Sequence, residues 1–178
     1  MNKVFIAVGH GGRDPGAVAN NLREADCNLV MALAMEKLLL QHGLEVQLSR
    51  HTDCTNPVAE EIAACQKFQP QLAVVIHNNA GGGHGFEVYH PVDSYMNDSI
   101  TLALLMEQEI RLLGQLSRGL KQNNRLRWMR KCICPTVLCE GFFLDSEDYL
   151  LAQTAEQQAS FGEAYARAVL RWFEEKNN

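Results

Sequence analysis

The sequence predicts a single α/β domain: a mostly parallel, twisted central sheet flanked by helices. Three observations carry that prediction. Residues 4–8 and 71–76 are short, continuous apolar runs rich in β-branched side chains, as expected of strands buried on both faces. A stretch with helical apolar spacing lies between them. The chain has 178 residues, 47% of them apolar. A domain of that size buries roughly 70% of its unfolded surface, enough for one core without staples.

The elements follow in order. Residues 4–8 form a strand that ends at Gly9-His10-Gly11-Gly12, a glycine-rich loop. From residue 21 to 41 the pattern is helical, with Leu22, Ala25, Leu29, Leu33 and Leu40 as its apolar stripe. His42-Gly43 supplies the C-terminal stop. Residues 44–49 alternate as a half-buried strand, and Pro57 opens a short helix to about Phe68. The run 71–76 is a second buried strand ending at His77, and residues 78–85, with four glycines, are a loop. Residues 86–89 form a short strand, 95–113 a helix stopped by Gly114, and 136–139 a strand ending at Glu140-Gly141. Thr154 opens the last helix, with Gln157 completing a capping box and Phe161, Tyr165, Val169 and Trp172 on its apolar face.

Composition excludes several classes. The net charge of −5 argues against a nucleic-acid binder or a binder of anionic membranes. No run approaches the ~18 apolar residues of a membrane span, and the start lacks the apolar stretch and cleavage site of a signal peptide. The expectation is therefore cytoplasmic synthesis without membrane insertion. The six cysteines, at 27, 54, 65, 132, 134 and 139, include no CxxC pair and read as mostly buried, reduced thiols.

Sites in open α/β sheets form beyond the carboxyl ends of the strands. Here three strands end in a ligand or an acid: His10, His77 and Glu140. Two histidines and a carboxylate are a common catalytic zinc set, with water in the fourth position. Such a set needs a third ligand and a separate base. Glu24, in the first turn of the helix after the His10 loop, is a candidate for either role. A strand-end histidine can equally be a hydrogen-bonded structural residue, and Glu24 a solvated acid compensating a helix dipole. Glu140 is less neutral in meaning, because an acid after Val137-Leu138-Cys139 is rarely left unpaired. The Gly9–Gly16 region is not a phosphate loop: it has no GK[ST], and Asp14 stands where a third glycine of GxGxxG belongs.

Gly9-His10-Gly11-Gly12-Arg13-Asp14-Pro15-Gly16-Ala17 resembles the opening motif of the zinc-dependent N-acetylmuramoyl-L-alanine amidases of the amidase-3 type. The resemblance continues in order through Glu24 and Asn28, then His77-Asn78-Asn79-Ala80 with Gly85-Phe86-Glu87-Val88-Tyr89. It ends with Ser117-Arg118-Gly119-Leu120-Lys121 and Pro135-Thr136-Val137-Leu138-Cys139-Glu140-Gly141-Phe142-Phe143. It covers about residues 3 to 173.

It implies one zinc ion per chain held by His10, Glu24 and His77, with Glu140 as catalytic acid and base. The implied substrate is peptidoglycan, cut at the amide joining N-acetylmuramic acid to the L-alanine of the stem peptide. Asn79 and Glu87 match family positions expected to touch substrate or the residues behind the site. Ser117 departs from the family's usual Asn. Cys139, beside the proposed base, has no histidine placed to make it a nucleophile, and His84 is either solvated or near substrate. Residues 118–131 hold six basic residues and no acid. This stretch is either a solvated face or a groove rim, with Arg127, that binds stem-peptide carboxylates or anionic wall polymer. The catalytic domain is expected to use residues 1–178, leaving wall recognition to the groove. Without an export signal the chain resembles the lysis enzymes of phages, acting on the wall after release or lysis; a mother-cell enzyme of a spore former would also lack a signal. The alternatives are a zinc peptidase acting on free peptides and a non-catalytic wall-binding module.

Overall fold

The computed structural model describes residues 1–92 and 95–177. Its six-stranded sheet comprises β1 (Lys3–Val8), β4 (Glu45–Leu48), β5 (Leu72–Asn79), β6 (Phe86–Tyr89), β7 (Ser117–Lys121) and β8 (Thr136–Phe143). The spatial order is β4-β1-β5-β8-β6-β7. The pairs β4–β1, β1–β5, β5–β8 and β6–β7 are parallel, and β6 runs antiparallel to β8. The mostly parallel α/β sheet expected from the apolar runs is therefore present. Along β1, Val4, Ile6 and Val8 enter one core while Phe5 and Ala7 enter the other. That two-sided burial explains the continuous apolar run.

The larger core lies under α1 (Glu24–Gln41), α3 (Met96–Arg111) and α5 (Ala155–Asn177). The smaller lies under α2 (Val58–Phe68) and α4 (Arg127–Lys131). The Thr154–Gln157 capping box forms at α5: each backbone N–H donates to the other's side chain, at 3.0 and 3.2 Å.

The structure corrects several expectations. The first helix begins at Glu24, not at residue 21. Before it stands a hairpin of β2 (Val18–Ala19) and β3 (Leu22–Arg23). Asn20 and Asn21 both have positive φ, 49° and 61°, the requirement of a type I′ turn. The buried face of α1 is also different: Met31, Met35 and Leu39 are fully buried, while Leu33 and Leu40 are exposed. The helix is apolar nearly all round, so spacing alone did not select the stripe. β5 and β8 each run past the expected ends, to Asn79 and Phe143, so Asn78 and Asn79 lie on a strand rather than in a loop. β7 and α4 were not expected. All six cysteines are free, but Cys54 is exposed and Cys132 only partly buried.

Candidate active site

Alternation along the strands selects the face that carries the chemistry. Ile76 and Cys139 point into the larger core, so the next residues, His77 and Glu140, face the side of α2 and α4. There the two helices cover only the lower part of the sheet, through Phe5, Ala7, Ala73, Val75 and Leu138. His77 and Glu140 are directly paired across β5 and β8, and Glu140 is paired with Glu87 across β8 and β6. Three residues far apart in sequence thus share one row of the sheet.

Glu24 reaches the row from the first turn of α1. Its Oε1 lies 3.1 Å from His10 Nε2 and 3.0 Å from His77 Nδ1, and accepts the Asn78 backbone N–H at 3.0 Å. Its Oε2 accepts the Ala17 N–H at 2.9 Å. Burial raises the Glu24 carboxyl's proton affinity, but the hydrogen bonds from His10 and His77 outweigh it and hold the group far below the usual carboxylate range. His10 is pushed up to about 9, first by the bond to Glu24, which outweighs burial, with Asp14 adding to it. Burial pulls His77 down, yet the Glu24 bond and the charges of Glu140 and Glu24 leave it raised.

The backbone is shaped for this cluster. His10 itself has φ 62° and is braced by Asp14, whose Oδ2 lies 2.9 Å from His10 Nδ1. The His77 ring packs on the Gly9 Cα so closely that a Cβ there would stand 2.4 Å from the ring. Asn28 donates to the Gly9 carbonyl at 3.0 Å and accepts from Asn78 at 2.8 Å. Arg50, buried, donates to the carbonyls of Val8, Gly9 and Ala25 and ties the His10 loop to α1.

His10, Glu24 and His77 are the one group of three or more His, Cys, Asp or Glu among the described residues placed to hold a metal, with ligand atoms within 4.8 Å of one another. Zinc ligands at about 2.1 Å round a tetrahedron stand about 3.4 Å apart, close to the 3.0 and 3.1 Å seen here. The set has the right donors, the right spacing and a carboxylate behind one histidine to orient it. The residues fit a zinc ion.

Glu140 stands beside this set without joining it. Its Oε2 is buried and has no hydrogen-bond partner. Burial pushes the carboxyl up to about 7; His77 pulls against the rise, and Glu24 and Glu87 add to it. An acid with a proton affinity near neutral pH, next to a metal set, is equipped for general acid–base work.

The remaining expected residues are placed as follows. Glu87 is buried, and its partners are Arg118, Lys121 and Tyr89. Asn79 closes β5, its Oδ1 accepting the Ala80 N–H. Arg127 is exposed at the start of α4. His84 is more than half exposed, 3.7 Å from Asp148. Burial and the neighbouring Glu140 charge push the Cys139 thiol well above its ordinary value, which disfavours a nucleophile.

Sequence reasoning missed Glu61. It lines a cleft of about 180 Å³ with His10, His77, Asn56 and Val58. Its buried carboxylate accepts from Trp128 Nε1 at 2.9 Å and Asn56 Nδ2 at 2.6 Å. The signal was its place next to Ile62 on the inward face of α2.

Residues 4–171 match the family described as N-acetylmuramoyl-L-alanine amidase. The chain belongs to this amidase family. It is 34% identical over 154 residues to the N-acetylmuramoyl-L-alanine amidase CwlM of Bacillus licheniformis, covering 82% of this chain and 58% of that protein. It is 30% identical to the endolysin of Bacillus phage SPP1, covering 82% of this chain and 56% of the phage protein. The chain thus spans somewhat over half the length of these relatives. The catalytic domain of CwlV, an amidase from Bacillus (Paenibacillus) polymyxa, superposes with a TM-score of 0.88 at 25% identity, over 98% of this chain and 99% of that one. No helix among the described residues is long and apolar enough to cross a membrane.

Proposed function

We propose that residues 1–178 form one catalytic domain, a zinc-dependent N-acetylmuramoyl-L-alanine amidase that cuts peptidoglycan between N-acetylmuramic acid and L-alanine. The observation that carries the reading is the His10–Glu24–His77 cluster with Glu140 level with His77 and free at Oε2. Family membership supplies the substrate. One zinc ion per chain, held by His10 Nε2, Glu24 Oε1 and His77 Nδ1, would supply a Lewis acid for the amide carbonyl and lower the pKa of the attacking water.

The chain's own residues do the rest. Asp14 fixes the His10 ring so that Nε2 faces Glu24. Glu140 takes a proton from the attacking water at Oε2 and returns it to the departing alanine nitrogen. Asn79, at the end of β5, and the exposed Arg127, at the start of α4, are read as substrate contacts. Glu87 acts through the cations it holds. The site of action is the cell wall, reached after release or lysis.

Metal analysis together with digestion of purified muropeptides tests the reading. The expected result is one zinc per chain, release of free L-alanine amino groups, and loss of both in chelator and in His77→Ala. Hydrolysis of another bond supports a peptidase acting on free peptides. Binding without hydrolysis by the zinc-loaded protein supports a non-catalytic wall module.

A further inference from the structure

The row His77–Glu140–Glu87 continues onto β7 only because β7 is irregular. Phe86 pairs with Ser117 but Val88 pairs with Leu120, so β7 carries one residue more than β6 between the two pairs. Gly119 takes up the excess with φ +80°, a β-bulge. In a regular strand Arg118 and Lys121, three positions apart, face opposite sides. The bulge puts both on the face of Glu87.

There the Glu87 side chain, 5% exposed, pairs with Arg118 Nε and with Lys121 Nζ at 2.6 Å, and Tyr89 OH donates to it at 3.1 Å. One carboxylate against two cations leaves one positive charge in surplus. Arg118 and Lys121 are 42% and 32% exposed, so the surplus reaches solvent. The Arg118 guanidinium also lies 5.4 Å from the Phe143 ring centroid. Arg118 Nη1 also donates to the His84 carbonyl at 3.4 Å. The fork is therefore held in place with donors to spare, as recognition of a carboxylate requires.

We propose that this bulged corner is a carboxylate subsite: Arg118, with Lys121, receives a free carboxylate on the peptide side of the scissile amide, and Glu87 positions both cations. The inference rests on the amidase reading of the same site. Chemistry selects the peptide side, because the muramic acid carboxyl is consumed in the amide and the sugar offers only hydroxyl and acetamido groups. Spacing agrees. From the His77 strand to the Glu87 strand is two strand spacings, about 9.6 Å, or two to three extended residues. That span places the carboxylate on the first or second residue after the alanine.

The test compares two N-acetylmuramoyl peptides that differ only in whether the carboxylate of the residue after the alanine is free or amidated. Zinc-loaded wild type should show a KM roughly tenfold lower for the free acid, the size of one partly exposed charge-assisted hydrogen bond. Arg118→Gln should bring the KM ratio near one by weakening the acid alone, and Arg118→Lys should restore part of it. Lys121→Met, which leaves the Arg118–Glu87 pair in place, should lower the ratio less. Equal KM values in an active wild type overturn the subsite and leave the amidase reading intact. A ratio unchanged in a folded Arg118→Gln overturns it as well. No hydrolysis of either peptide overturns the amidase reading, and the subsite falls with it.

Discussion

Glu140→Gln should abolish activity and stabilise the metal-free protein at alkaline pH. The folded-state pKa of Glu140 is raised to about 7 from an ordinary 4.5, chiefly by burial. A raised acid favours folding while it is protonated. Its contribution is fully present below about 4.5 and is lost as pH rises through about 7. Each pKa unit is about 1.4 kcal/mol, so the wild type should lose about 2–3 kcal/mol between pH 5 and pH 8 on account of this one carboxyl. The glutamine does not titrate. In chelator, the stability of the variant relative to wild type should rise by that amount over the same interval. For a domain of this size that is a shift of about 5–10 °C in melting temperature. The other ionisable groups are common to both proteins and cancel to first order in the comparison. Thermal or urea unfolding at the two pH values reads the effect. The same variant, loaded with zinc, should keep its metal and lose at least about a hundredfold in kcat, the scale of general acid–base catalysis. A variant equally stable relative to wild type at both pH values would show that Glu140 is not held in a proton-favouring site. Retained hydrolysis would remove it from the mechanism.

Three further outcomes follow from single contacts. Gly9→Ala drives a Cβ to 2.4 Å from the His77 ring and should weaken zinc binding by roughly ten- to a hundredfold, measured by chelator competition; unchanged affinity refutes the close packing. Trp128→Phe removes the indole donor from buried Glu61 while keeping a ring against Phe5, and should cost about 1–3 kcal/mol in urea unfolding. A negligible cost there would mean that Asn56 and Ser49 satisfy Glu61 alone. Arg127→Glu should raise KM for muropeptides with kcat unchanged, and a constant KM would return Arg127 to the solvated surface.

Much of the fold was legible because burial on both faces leaves a pattern that needs no partner to be read. The runs 4–8 and 71–76 are apolar at every step, and the strands they predict are fully buried from Val4 to Val8 and from Leu72 to Ile76. The same rule failed for α1. Leucines and methionines surround that helix, and only the crossing of α1 with the sheet and α5 decides that Met31 and Met35 turn inward while Leu33 and Leu40 turn out. The Asn20-Asn21 turn was missed because Leu22, on the strand that follows it, fits the helical spacing of α1, whereas the chain first adopts two consecutive left-handed residues.

The site divides in the same way. The sequence by itself determined which ligand-type side chains follow the buried apolar runs, because such a residue after a buried run has few other destinations. His10, His77 and Glu140 were identifiable on that ground, and Glu24 from its place in the first turn of the next helix. Only the tertiary structure decided that Glu24 Oε1 lies between two histidines, that Glu140 is level with His77, and that Glu61 closes the cleft. Strand order and register depend on contacts between residues far apart in sequence, which no local period records. The basic stretch shows the limit most plainly. Its charge was visible in the sequence, but strand alternation would have parted Arg118 from Lys121. A single extra residue at Gly119 shifts the register and brings both cations onto one carboxylate beside the catalytic row.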